Sequence, residues 1–172
     1  DQALYKQYLL LSRNTELHLQ GNHLLENGFS LLFGAYYLQD NRLYKLAEKI
    51  LKKQLNEQIL SDGAHFELSP MYHKILLERL LDCYNLVSGN DTFNNEEFDA
   101  LLLNKAGKML SWLKNVTFSN GDIPYVNDSA PGIGSFTEQL GAYAKKLGVF
   151  PNESYNSDQS GYKFIRKKHY EF

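Results

Sequence analysis

With a single cysteine, Cys83, the chain has no means of forming an internal disulfide. Leu80, Leu81 and Leu86 beside it predict a buried structural thiol. An excess of charge of either sign is lacking too. The formal net charge is −2 and the lysines are scattered through helical segments, so there is no basic field of the kind that gathers nucleic acid. No apolar run is long enough to span a bilayer. The longest, around Leu31 to Leu38, is interrupted by glycine and tyrosines and predicts a core helix. Zinc-type spacing is absent, with no His-x-x-x-His and no cysteine pair, so a metal site built from His23, His65 and His73 is disfavoured. No repeat at fixed period marks a solenoid. An initiating methionine and a signal peptide are missing at the start, and Asp1-Gln2-Ala3-Leu4 reads as cut from inside a larger protein. Sequons at Asn90, Asn115, Asn127 and Asn152 are expected as chance matches in an asparagine-rich chain.

What the chain does have is apolar surface arranged for helices. Of its 172 residues 43% are hydrophobic and 13% aromatic, ample for the core of one ordinary domain. Spacings of three and four residues predict helices over Leu4 to Leu19, His23 to Leu38, Arg42 to Leu60, Pro70 to Val87 and Glu96 to Val116. Turn formers separate them: Gln20-Gly21-Asn22, Asp40-Asn41, Ser61-Asp62-Gly63 and Gly89-Asn90-Asp91. Ser69 is placed to cap a helix whose first position is Pro70, where a missing N–H does no harm. The pattern is one of consecutive antiparallel helical hairpins, and wide apolar arcs such as Tyr36-Tyr37-Leu38 ask for partners on more than one side. A closed or partial ring of hairpins satisfies that, as does an open solenoid.

After a long irregular stretch, Thr117 to Gly134, with an ordered-looking Ile123 to Asp128, a short helix is predicted over Phe136 to Leu147. Residues 151–160 then read as a linker, and Tyr162-Lys163-Phe164-Ile165-Arg166 as the start of a strand. The division expected is therefore a helical part over 1–150, a linker over 151–160 and the beginning of a β-rich domain over 161–172.

Side chains able to bind or move protons concentrate in two places. Gly21-Asn22-His23-Leu24-Leu25-Glu26-Asn27-Gly28 puts Asn22 and Glu26 on one helical face with His23 adjacent, and the apolar Leu24, Leu25, Phe29, Leu32 and Phe33 fill much of the rest. Part of that polar face is expected to line a concave site. The second cluster is Ser69-Pro70-Met71-Tyr72-His73. A lone helical histidine is usually a satisfied core or surface group, the reading adopted for His18 and His169. Tyr36, Tyr37 and Trp112 have the faces to stack on sugar rings, but their helical spacing favours a core role, and Trp112 alone merits a test.

Taken in order, Glu16 to Gly28, Asp62-Gly63-Ala64-His65-Phe66-Glu67-Leu68-Ser69-Pro70-Met71-Tyr72-His73 and Gly121-Asp122-Ile123-Pro124-Tyr125-Val126-Asn127-Asp128 resemble the heparinase II/III-like family of bacterial polysaccharide lyases. The resemblance implies an all-α fold, an incomplete (α/α) toroid of antiparallel helical hairpins, followed by a β-sandwich of which 161–172 would be the first strand. It implies β-elimination on a uronic-acid-containing, anionic polysaccharide, in the bacterial periplasm or outside the cell. Asn22 with His23 would hold the sugar carboxylate and Tyr72 would move the proton. Phenols ordinarily titrate near ~10, so positive charge nearby must favour the phenolate if it is to act as a base. Glu26 would orient His23 or bind sugar hydroxyls, while His65, Glu67, His73, Asn127 and Asp128 would line the same groove. No cofactor is implied for this part of the chain; relatives draw a further catalytic histidine, and in several cases a structural metal, from the sandwich. On this reading the chain alone is inactive, and its uncovered apolar surface favours self-association. The alternative from another class is a non-catalytic carbohydrate-binding or interaction scaffold with the same helical fold.

Overall fold

The computed structural model describes residues 2–19, 21–152, 159–167 and 170–171. Residues 153–158, within the predicted linker, and His169 lie outside the described residues. The elements in chain order are α1 (Gln2–Arg13), α2 (Gly21–Leu38), α3 (Asn41–Gln58), α4 (Pro70–Ser88), α5 (Glu96–Val116), α6 (Thr137–Lys146), β1 (Arg166–Lys167) and β2 (Tyr170–Glu171). The all-α expectation holds. Apart from an isolated bridge between Ile59 and His65, no strand precedes residue 135 among the described residues.

The chain forms two compact units, one from residues 1–57 and 82–101, the other from 58–81 and 102–172. In the first, the apolar stripe of α2 (Leu24, Leu25, Leu31, Leu32) is buried together with Leu43, Ala47, Leu51 and Leu55 of α3. Full burial of each such leucine is worth about 1.5–3 kcal/mol. Gly28 makes close packing possible: a Cβ there would stand 2.9 Å from Leu51 Cδ2. Tyr44 stacks on Phe93 at 4.4 Å, and Tyr36 and Phe98 meet the pair edge-on. Tyr36 is thus core, its hydroxyl donating to the Phe93 carbonyl. Cys83 is fully buried, as its leucine neighbours predict.

α1 ends six residues before the predicted Leu19. The Asn14 side chain donates to the Leu10 carbonyl at 2.8 Å and its N–H to Leu11 at 3.0 Å, closing the last turn. Beyond it the Glu16 N–H is taken by Asn27 Oδ1 at 2.9 Å, so the helical ladder has lost its next donor to a side chain eleven residues away.

In the second unit, Leu76, Leu77, Leu80 and Leu81 of α4 and Ala106, Met109, Trp112 and Leu113 of α5 are buried. Between Ile59 and His65 the chain makes a tight loop that needs Gly63, at φ +87, because a Cβ there would run into the Lys108 carbonyl. The segment predicted as a strand start behaves differently from expectation. Residues 161–165 carry no ladder bonds, and pairing is confined to β1 and β2, antiparallel with Arg166 opposite Glu171 and Lys167 opposite Tyr170. Aromatic content there serves packing: Tyr162 stands edge-on to Trp112 at 5.2 Å. Arg166 donates to the carbonyls of Asn115 at 2.8 Å and Thr117 at 2.6 Å, capping the end of α5 with a cation where the helix dipole is negative.

Candidate functional site

The first cluster sits at the start of α2. Asn22 and His23 occupy its first turn, Asn22 half-buried and His23 exposed, with Glu26 exposed further along. The carboxylate placed beside His23 is Glu16, its Oε2 3.8 Å from Nδ1. Glu16 is itself braced reciprocally by Asn27, whose Nδ2 donates to Oε2 at 3.1 Å while Oδ1 accepts the Glu16 N–H. The orienting role that sequence reasoning gave to Glu26 therefore has a second claimant in Glu16. Eleven residues separate Glu16 from Asn27, a spacing that belongs to no helical face, so only the fold brings them together.

The second cluster surrounds the start of α4. Ser69 caps the helix as predicted, its Oγ accepting the Tyr72 N–H at 3.2 Å. The same hydroxyl donates to the Asp128 carbonyl at 2.9 Å and lies 3.0 Å from Ser129 Oγ, which accepts the Met71 N–H at 3.3 Å. Asn127, left-handed at φ +53, donates its amide to the Leu68 carbonyl at 2.7 Å. The loop 127–129 is thereby clipped to the turn that presents Tyr72. Tyr72 is half-buried, and Glu67, Asn127 and Asp128 are exposed.

His65 and His73, expected to line the same groove, are 1% and 0% exposed and hydrogen-bonded within the protein. His73 Nδ1 accepts the His65 N–H at 3.3 Å and Nε2 donates to the Met109 carbonyl at 3.0 Å, which together define the neutral Nε2–H tautomer. Burial pushes His65 down to about 4 and His73 down to about 3, so both are neutral near pH 7. Trp112 is also withdrawn from sugar stacking: it is 0% exposed, with its ring 4.4 Å from that of His73 and its Nε1 donating to Ser160 Oγ. Asp62 completes this buried lattice, accepting the Ala64 N–H at 3.1 Å and the Ser160 N–H at 2.8 Å.

Among the described residues no group of three or more His, Cys, Asp and Glu side chains is arranged to hold a metal ion, and no helix is long and apolar enough to cross a membrane. A cavity of about 490 Å³ opens in the second unit, lined by Leu110, Leu113, Phe118, Thr137, Pro151 and Arg166 among others. It includes none of the predicted site residues, and its walls are mostly apolar, with Lys114 and Arg166 among the lining side chains.

Three comparisons bear on the site. The profile of the family described as Heparinase II/III N-terminus matches residues 5–156. A heparin-sulfate lyase of Bacteroides stercoris is 28% identical over 115 residues, which are 64% of this chain and 17% of that protein. The crystal structure of heparan sulfate lyase HepC from Pedobacter heparinus superposes with a TM-score of 0.63 at 22% identity, covering 84% of this chain and 23% of that one. A mutant of the same lyase gives 0.65 at 20% identity. The helical-toroid fold class is that of this chain, which spans less than a quarter of the HepC chain.

Proposed function

This chain belongs to the heparinase II/III N-terminal family, and on that premise we propose that it is the helical part of a polysaccharide lyase that cleaves a uronic-acid-containing polysaccharide by β-elimination. The reaction removes a proton from the carbon beside the sugar carboxylate while the glycosidic oxygen leaves the neighbouring carbon. A carboxylate makes that proton poorly acidic, so donors must gather the negative charge that grows on it; one such donor is typically worth about 3 kcal/mol.

The observation that carries the proposal is where the candidate side chains stand. Asn22 and His23 lie in the first turn of α2 and Tyr72 in the first turn of α4, and neither turn contains an acidic residue. Neither helix carries an acid of its own in that turn, in contrast to α5, which opens with Glu96, Glu97 and Asp99, and the Glu16 carboxylate beside α2 is engaged with Asn27. An anionic substrate carboxylate at Asn22 is the charge that the positive pole of α2 favours. In this reading Asn22 donates to the substrate carboxylate, His23 is oriented by Glu16 toward the same group, and Tyr72 takes the proton or returns one to the leaving oxygen. Glu67, Asn127 and Asp128, exposed beside the Tyr72 turn, bind sugar hydroxyls.

The test uses the full-length protein that carries these residues, assayed on glycosaminoglycans, alginates and bacterial exopolysaccharides for unsaturated uronate absorbing in the near ultraviolet. Tyr72→Phe should lower kcat by about a hundredfold or more with little change in KM, since it removes a proton-transfer group and keeps the ring. Asn22→Ala should also lower kcat. Near-normal turnover by Tyr72→Phe would sink the assignment. Polysaccharide affinity without product from the unaltered protein would favour the binding scaffold instead.

A further inference from the structure

Leu68 is held at φ +54, in the left-handed region that a leucine seldom adopts unless its surroundings impose it. Its carbonyl accepts two hydrogen bonds of the same length, 2.7 Å, from Asn127 Nδ2 and from the Tyr162 hydroxyl. Its N–H donates to the His65 carbonyl at 2.9 Å. The next residue, Ser69, caps the turn that contains Tyr72, so the Leu68 peptide is the anchor from which α4 begins.

Tyr162 is itself fixed. Its ring stands edge-on to Trp112, with centroids 5.2 Å apart, and stacks with Phe164 at 6.1 Å. Trp112 in turn lies 4.4 Å from the ring of His73, which is pinned at both nitrogens. The two sides of Tyr72 thus lead back to one residue: through Ser69 and Leu68 to the Tyr162 hydroxyl, and through His73 and Trp112 to the Tyr162 ring. We infer that Tyr162 is a positioning residue for Tyr72, its hydroxyl holding the Leu68 carbonyl and so setting where α4 starts and where the Tyr72 phenol stands. The inference rests on the proposed function in giving Tyr72 the proton transfer; the geometry that links Tyr162 to the Tyr72 turn does not depend on it.

Tyr162→Phe in the full-length protein isolates the hydroxyl, because the ring contacts with Trp112 and Phe164 remain. Misplacing a reacting group by a fraction of an ångström costs turnover more than affinity, so kcat should fall roughly tenfold while KM stays within about twofold. Tyr36→Phe is the control: it also removes a tyrosine hydroxyl from a backbone carbonyl, that of Phe93, and should change neither constant. Hydrogen exchange on the same proteins supplies a readout independent of activity. The Tyr72 and His73 amides should exchange roughly fivefold faster in Tyr162→Phe, with the amides of residues 28–36 unchanged. An unaltered kcat in an active protein would overturn the inference, as would a general loss of helicity in Tyr162→Phe. If the unaltered protein yields no unsaturated product on any polysaccharide, the lyase reading fails, and exchange decides the positioning role alone. Acceleration confined to the first turn of α4 upholds it, and unchanged exchange overturns it.

Discussion

The buried histidines show how one residue type divides between two tasks. His23 is exposed beside Glu16, while His65 and His73 are enclosed with no carboxylate paired to either ring. Burial lowers both, to about 4 and about 3, against about 6.5 in an unfolded chain. Between those values the unfolded state binds protons that the folded state refuses. The stabilisation is therefore complete above pH ~6.5 and is lost as pH falls from there toward 4 and below, at up to about 1.4 kcal/mol per pH unit for each histidine. His65 has a further weakness, since its Nδ1 is buried without a partner. Denaturant unfolding of the chain between pH 7 and 4 should show this decline. His73→Gln, which keeps a donor for the Met109 carbonyl but cannot titrate, should be less stable at pH 7 and less steep in its pH dependence. Equal slopes for the two proteins would mean that His73 does not carry the acid sensitivity.

At the scale of elements, helical spacing and turn chemistry predict α2 to α6 with every end within two residues, because their apolar residues recur at helical spacing and Asn41, Pro70, Gly89 and Gly148 mark the start of α3, the start of α4 and the ends of α4 and α6. α1 has no buried residue to hold its last turns, and tertiary bonds from Asn27 decide where the chain leaves the helix. The Ser69 cap was readable since Ser-Pro is a local signal; that its hydroxyl also receives the loop at Asp128 and Ser129 was not, because those partners lie 59 and 60 residues on. The double duty makes Ser69→Ala a sharper experiment than an ordinary cap deletion. Loss of the cap alone costs about 1 kcal/mol, and the stranded Asp128 carbonyl adds to that. Ser69→Ala should lower the midpoint of thermal unfolding, release the 127–129 loop to proteolysis and reduce turnover of the full-length protein. Ser69→Thr, which retains the hydroxyl, should recover most of all three. A Ser69→Ala protein as stable and protease-resistant as the parent would show that the loop is held by other contacts.

For the whole molecule, local motifs single out Asn22, His23 and Tyr72 as candidates for the chemistry, whereas Glu16, Asn27, Leu68 and Tyr162 are visible only through contacts between distant parts of the chain. Carbonyl acceptors and carboxylate braces leave no periodic trace in a sequence, so this scaffolding was beyond its reach. The scale of the match sets the last prediction. The chain covers 23% of the HepC chain, and the family resemblance places a further catalytic histidine in a sandwich domain that follows the helices. On the proposed reading, the 172-residue chain prepared alone should therefore give no measurable turnover where the full-length protein is active, even with Asn22, His23 and Tyr72 in place. Leu10, Leu17, Phe136 and Phe150, each more than 60% exposed, are large apolar side chains of the kind that drive association when a covering partner is absent. Sedimentation should show the isolated chain self-associating as its concentration rises, and to a lesser degree when Phe136 and Phe150 are both changed to serine. Turnover by the isolated chain comparable to that of the full-length protein would show that the helices hold the complete catalytic apparatus, and would require the missing acid or base to be sought among Glu16, Glu67 and Asp128.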